Sequence, residues 1–263
     1  LQTGNPLKTL LGHQRSVNTL ALSPDGCWIA SGSQDATIRL WNLQQPDQPP
    51  RILAGHSQRV WSVAFSPTAQ ILASASEDHT VKLWNLANGE CYQTMAKDPT
   101  SNGIVAFRPD GSLLASGGPD HMICLWQIES NSAQAAPAAI LDAVHLKYLQ
   151  GHTDTQSAVR FSPDGRYLAS SSYDHTAKLW DITMGQCLKT LKGHTNRLWS
   201  VAFNPGGTLL ASGGDDRAVK LWDLQTGQCI RTLQGHTDAV LSLTCADGLL
   251  ISGHEDETIR LWN

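Results

Sequence analysis

The 263-residue sequence predicts an all-β fold: six four-stranded antiparallel sheets set radially about one axis. Three observations carry the prediction. Tryptophan followed by a polar residue recurs as Trp41-Asn42, Trp84-Asn85, Trp126-Gln127, Trp180-Asp181, Trp222-Asp223 and Trp262-Asn263, at intervals of 43, 42, 54, 42 and 40 residues. A Gly-His pair stands upstream of five of these: Gly12-His13, Gly55-His56, Gly151-His152, Gly193-His194 and Gly235-His236. Between the marks runs ASGSQD, ASASED, ASGGPD, ASSSYD, ASGGDD or ISGHED. Self-similarity at such a period marks a repeat architecture, in which one unit cannot bury its own faces and must stack on the next.

Within a repeat the elements follow in order. Residues 60–66, 71–76 and 80–86 are short runs rich in β-branched and aromatic residues, as strands require. Turn formers such as Ser23-Pro24-Asp25-Gly26 and Ser162-Pro163-Asp164-Gly165 separate them. Four strands per repeat give one sheet, and radial packing buries both its faces while leaving only short edges. One segment departs from the pattern. From Trp126 to His152 is 26 residues, against 14 or 15 elsewhere, so residues 127–148 contain an insertion. It falls between the third and fourth strands of the third repeat or just after them, and Pro137 among alanines predicts an exposed loop there.

The Gly-His and Trp-Asp marks at fixed offsets resemble those of WD-repeat β-propellers over the whole chain. Asp35, Asp78, Asp120, Asp174, Asp216 and Asp256 each precede their tryptophan by six residues. The close similarity between repeats resembles bacterial arrays of this family. The resemblance implies a six-bladed propeller in which the N-terminal strand, residues 7–11, pairs with residues 258–262 and closes the ring in the last blade. Leu1-Gln2-Thr3-Gly4 repeats Leu224-Gln225-Thr226-Gly227, which suits that closure and equally suits a segment of a longer protein.

The resemblance also implies a structural role for the repeated polar residues. Trp indole only donates, Ser donates and accepts, neutral His does both, and carboxylate only accepts, so they can form a closed chain. The sets are His13, Ser31, Asp35 and Trp41; His56, Ser74, Asp78 and Trp84; His152, Ser170, Asp174 and Trp180; His194, Ser212, Asp216 and Trp222; and His236, Ser252, Asp256 and Trp262. A Ser-His-Asp set has the composition of a hydrolase triad, but its recurrence in blade after blade favours structure. The third repeat has Lys97-Asp98 where Gly-His belongs, and two facing carboxylates would repel, so that blade is expected to lack the network.

Composition narrows the function. Charged residues make up 16% of the chain and the net charge is -4, with no basic run, so no nucleic-acid partner is indicated. No apolar stretch approaches the ~18 residues of a membrane helix. No secretory leader is visible. Cys91, Cys187 and Cys229 occupy one repeated position and no CxxC occurs, so reduced thiols in a cytoplasmic, monomeric protein are expected. No metal or cofactor site is predicted: the five Gly-His histidines fall in five different blades, and His79, His121 and His175 follow the turn aspartates into solvent.

The resemblance implies a non-catalytic scaffold that binds a peptide or protein partner beside the channel mouth, as a sensor or docking module of a larger signalling protein. A propeller-type metal-assisted hydrolase would need carboxylates or histidines converging on the channel, which the apolar or small first strands (SVAFSP, SVAFNP) do not supply. A purely architectural spacer is the other alternative. By the family pattern, partner contacts come three and five residues after each Gly-His histidine and just before the turn aspartate. Those positions give Arg59, Trp61 and Glu77 in blade 2 and Arg197, Trp199 and Asp215 in blade 5, with Tyr173 of blade 4 beside them.

Overall fold

The computed structural model describes residues 8–263 apart from 69, 97–102, 131–140, 236 and 247. Among the described residues every regular element is a strand, and the strands form six antiparallel sheets, each in sequence order. Blade 2 is typical: Val60–Phe65, Ile71–Ser76, Thr80–Asn85 and Cys91–Ala96. Its first three strands fall within a residue of the segments the sequence predicts. The Ser-Pro-Asp-Gly turn closes as its residues dictate. In blade 1, Gly26 adopts φ 69°, which glycine reaches without steric cost, and its N–H donates to the Ser23 carbonyl at 2.9 Å.

The second strands of blades 1 to 5 carry an alanine at their centre, where blade 6 has Ile251. Ala30, Ala73, Ala115, Ala169 and Ala211 are all buried, which lets neighbouring sheets approach closely. The apolar core is divided among five seams, one between each consecutive pair of blades. Between blades 1 and 2, Ile38, Leu40 and Leu53 meet Val60, Val63 and Leu72. The same arrangement joins blades 2 and 3, 3 and 4, 4 and 5, and 5 and 6.

The insertion lengthens a hairpin. The third and fourth strands of blade 3, Met122–Ser130 and Leu141–Gln150, pair from Met122 opposite Gln150 out to Ser130 opposite Leu141. Most of residues 127–148 is therefore strand rather than loop, because the two arms satisfy each other's backbone groups. Residues 131–140, Pro137 included, lie outside the described residues.

The expected closure of the ring is corrected by the structure. Among the described residues blade 6 has three strands, Val240–Ala246, Leu249–His254 and Ile259–Trp262, and residues 8–11 form no strand. Among the described residues no core cluster joins blade 6 to blade 1. Residues 8–11 are held by blade 1 instead: Lys8 forms an ion pair with Asp47 in the turn before that blade's fourth strand. Residues 1–7, which include Leu7 of the expected strand, lie outside the described residues.

Candidate partner-binding site

The repeated polar residues assemble as the donor and acceptor chemistry requires. In blade 2, Trp84 Nε1–H donates to Ser74 Oγ at 2.8 Å, and His56 contacts Ser74 Oγ through Nε2 and Asp78 Oδ2 through Nδ1, both at 2.7 Å. A carboxylate only accepts, so Nδ1 carries the proton and Nε2 accepts from the serine hydroxyl. Blades 1, 4 and 5 repeat the chain at 2.7–2.8 Å, through His13, Ser31, Asp35 and Trp41, through His152, Ser170, Asp174 and Trp180, and through His194, Ser212, Asp216 and Trp222. Burial disfavours charge on Asp78, but hydrogen bonds from Thr80, the Ser57 amide and His56 outweigh it and hold the carboxyl below its usual range. Burial lowers the pKa of His56 and His152. Losing one member of such a buried chain costs about 1–3 kcal/mol, the penalty of an unsatisfied partner.

Two blades differ. In blade 3 the Trp126 indole still donates to Ser116 at 2.9 Å, so part of the chain survives. The Lys97-Asp98 position lies outside the described residues. In blade 6, Ser252 accepts from Trp262 at 2.8 Å, and its other partner is His254 at 2.8 Å. Asp256 there is bonded by the Thr237 and Thr258 hydroxyls, which pull its carboxyl down to about 2. His236 lies outside the described residues.

In blades 1, 2, 4 and 5 the network fixes the loop that precedes the first strand, and the first strand then aims its side chains. In blades 1, 2, 4, 5 and 6 the register against the second strand slips by one residue at the same place. In blade 2 the slip lies between Val60 and Ser62, and in blade 5 between Leu198 and Ser200. The extra residue is Trp61 in the first and Trp199 in the second. A β-bulge turns such a side chain out of the ladder, and both tryptophans reach the central channel, a cavity of about 560 Å³.

Around each tryptophan the predicted residues come together, but not alike. In blade 2, Arg59 Nε pairs with Glu77 at 2.7 Å and its guanidinium lies 5.0 Å over the Trp61 ring, which is 41% exposed. In blade 5 the Asp215 carboxylate accepts from the indole of Trp199, while the Arg197 backbone carbonyl accepts from the Asp215 amide at 2.9 Å. Arg197 stacks 4.9 Å over Tyr173 of blade 4, whose ring meets Trp199 edge-on at 5.0 Å. The second cluster is thus built across the seam between blades 4 and 5.

The repeat pattern on which this geometry rests is decisive for the family. Residues 4–42, 47–85, 90–127, 143–181, 185–223 and 227–263 each match the description "WD domain, G-beta repeat". This chain belongs to the WD-domain, G-beta-repeat family. Among its relatives, the Notchless protein homolog of Arabidopsis thaliana is 60% identical over 37 residues, which is 14% of this chain and 8% of that protein. The small ribosomal subunit protein RACK1 of Caenorhabditis elegans is 45% identical over 42 residues, 16% of this chain and 13% of that one. Striatin of Rattus norvegicus is 43% identical over 42 residues, 16% and 5% respectively. The aligned stretches are each about one repeat long, so this chain covers a small part of each relative.

Within the WD-domain ring, sequence reasoning missed one channel residue. The first strands are not all small or apolar, because Arg160 of blade 4 stands where blades 2 and 5 carry Ala64 and Ala202, and it lines the channel. Its signal was available as the one charged residue in an otherwise repeated VAF pattern. Among the lining residues described, Arg160 alone is charged; the others include Ser62, Ser157, Ser200 and Ser242. No three His, Cys, Asp or Glu side chains among the described residues converge as metal ligands. The six cysteines are free thiols.

Proposed function

We propose that this WD-domain chain is a non-catalytic protein-interaction scaffold that takes an extended peptide or loop with acidic and apolar groups across its channel mouth. The observation that carries the reading is the pair of Arg-aromatic clusters, Arg59 on Trp61 and Arg197 on Tyr173 beside Trp199, whose tryptophans line one channel that also holds Arg160. Arg and Trp are enriched where binding energy concentrates. Glu77 and Asp215 hold the clusters in place in the free protein, and a partner carboxylate would replace Glu77 on Arg59. The exposed pair Arg59–Glu77 contributes only about 0–1 kcal/mol, so exchanging its acid costs little. Blades 2 to 5, close-packed at their seams, present these groups with little ordering on binding. In this reading the chain is a docking module of a larger cytoplasmic signalling protein and acts as a monomer.

The test is selection from a displayed library of random peptides. The wild-type chain is expected to enrich sequences that combine Asp or Glu with Trp, Phe or Leu. The variant Arg59→Ala, Trp61→Ala, Arg197→Ala, Trp199→Ala should lose that enrichment while melting as before. Equal enrichment by the folded quadruple variant would move the interface away from the channel mouth.

A further inference from the structure

Arg160 breaks the repeat at one position. In the register of blade 4 it stands opposite Ala169, where Ala21, Ala64, Ala106 and Ala202 stand opposite Ala30, Ala73, Ala115 and Ala211. Blade 6 has Thr244 there. The other blades thus carry only small side chains at this level, and Arg160 lines the space they leave.

The guanidinium has no acid. The channel lining contains no Asp or Glu, and among the described residues no carboxylate pairs with Arg160. Its Nη1 donates to the Val159 carbonyl of its own strand at 2.9 Å. Water reaches the side chain through the channel, yet the surrounding protein lowers its pKa by desolvation. A walled cation without a counter-ion destabilises the free protein and concentrates anions at that point. With a net charge of -4 on the whole chain, the channel is a local exception to the surface field.

The rest of the lining is suited to an apolar body. Arg160 lies three residues along its strand from Ser157, the bulged residue equivalent to Trp61 and Trp199. Three steps along a strand span about 10 Å. Between those levels Ile104 lines the channel at the position of Ser62 and Ser200. A cation at one depth, an aliphatic wall above it and two indoles at the mouth form a graded site.

We propose that the channel binds a small monocarboxylic acid about 10 Å long, with its carboxylate on Arg160 and its apolar body against Ile104, Trp61 and Trp199. The guanidinium fork matches a carboxylate with two parallel hydrogen bonds. One negative charge neutralises the one cation, whereas a dianion would leave a net charge in a channel with no second cation. The cavity of about 560 Å³ lies within the range of small-molecule sites. The site shares its two tryptophans with the peptide-docking mouth but does not depend on that reading.

The experiment is isothermal titration calorimetry with eight-carbon probes that differ in charge: octanoate, octanol, octylamine and octyl phosphate. Octanoate should bind the wild-type chain one to one with a Kd of ~1 mM or tighter. Octanol and octylamine should bind at least ~10-fold more weakly, and octyl phosphate no more tightly than octanoate. Arg160→Ala gives blade 4 the residue that blades 1, 2, 3 and 5 carry, so it should fold, melt no lower than wild type and bind octanoate at least ~10-fold more weakly. Adding Ala64→Arg to that variant returns a cation at the same depth and should recover at least ~3-fold of the loss. Trp61→Ala with Trp199→Ala should weaken octanoate by ~5-fold or more. The probe series on the wild-type chain tests the charge requirement without any substitution. Absence of octanoate binding at 1 mM, or equal affinity for octanol, would overturn the proposal. Unchanged octanoate affinity in folded Arg160→Ala would place the acid elsewhere. Octyl phosphate binding ~10-fold tighter than octanoate would reassign the channel to phosphate esters. Failure of octanoate, with an acidic peptide that binds wild type and is lost by Arg160→Ala, would give the guanidinium to the peptide instead.

Discussion

Blade 2 and blade 6 are written in nearly the same words and end in different states. Thr80-Val81-Lys82-Leu83-Trp84 and Thr258-Ile259-Arg260-Leu261-Trp262 align residue for residue. Both tryptophans donate to the serine ten residues earlier at 2.8 Å. Yet Leu83 is buried and Leu261 exposed, and Trp84 is fully buried where Trp262 is half-buried. The repeat dictates where a side chain points. Whether it is buried is decided by the next blade, as nearest-neighbour stabilisation in repeat proteins requires. Blade 2 has Ile104–Phe107 and the rest of blade 3 beside it, and blade 6 has no blade on that side among the described residues.

The largest effect is expected from truncating the paired leucines. Leu83→Ala removes a fully buried side chain and should cost about 2–5 kcal/mol. Leu261→Ala removes an exposed one and should stay within roughly 0.5 kcal/mol, as surface substitutions do. Denaturant melts of the two variants measure the difference. Equal losses would mean that blade 6 is as well covered as blade 2 and would end the comparison.

The pairing of these blades also marks what could be read without coordinates. The six repeats and the first three strands of blade 2 follow from spacing and turn chemistry, and the His56-Ser74-Asp78-Trp84 chain follows from the family resemblance, with donor and acceptor chemistry local to one repeat explaining it. The bulges at Trp61 and Trp199 were legible only as a family position, because a one-residue slip depends on the partner strand. The exchange of partners around Asp215 arises from Tyr173 on a different blade, so no single repeat encodes it. Closure by residues 7–11 is a statement about two distant ends of the chain, and the structure differs there. The loop expected around Pro137 lies outside the described residues, and the extended pairing of residues 122–130 with 141–150 was not legible because it depends on contacts between two arms.

A smaller effect should separate the blades by pH. The pKa values of His56 and His152 are lowered by burial, so each folded value lies below the ordinary 6.5. Their neutral-state contribution is complete above about pH 6.5 and is lost as the pH falls through the folded values. Asp78 and Asp216 are lowered too, and their contribution, complete above the ordinary value near 3.9, is lost below it. Melting temperature should therefore be nearly level from pH 8 to 6.5 and decline in two stages on acidification. Titration of the histidine ring signals by NMR checks the first stage. A ring signal of His56 that moves at or above pH 6.5 would contradict the assigned chain.

The smallest effect tests the turn that both kinds of blade share. The residue after each turn aspartate has a positive φ, 66° at His175 in blade 4 and 64° at Glu257 in blade 6, and both are exposed. A side chain in that region costs about 1–2 kcal/mol, part of which glycine returns as extra freedom in the unfolded chain. His175→Gly should therefore gain about 0.5–1 kcal/mol. Blade 4 is packed on both sides, so its turn opens only with the whole ring and the gain should appear in the global melt. The strand after Glu257 forms a free edge, so blade 6 opens locally at lower free energy. Glu257→Gly should slow amide exchange in Leu249–His254 and Ile259–Trp262 while moving the global melt by less than His175→Gly does. Equal global gains from both variants would place blade 6 in the same cooperative unit as blade 4, and its exposed edge would then carry no loss of stability.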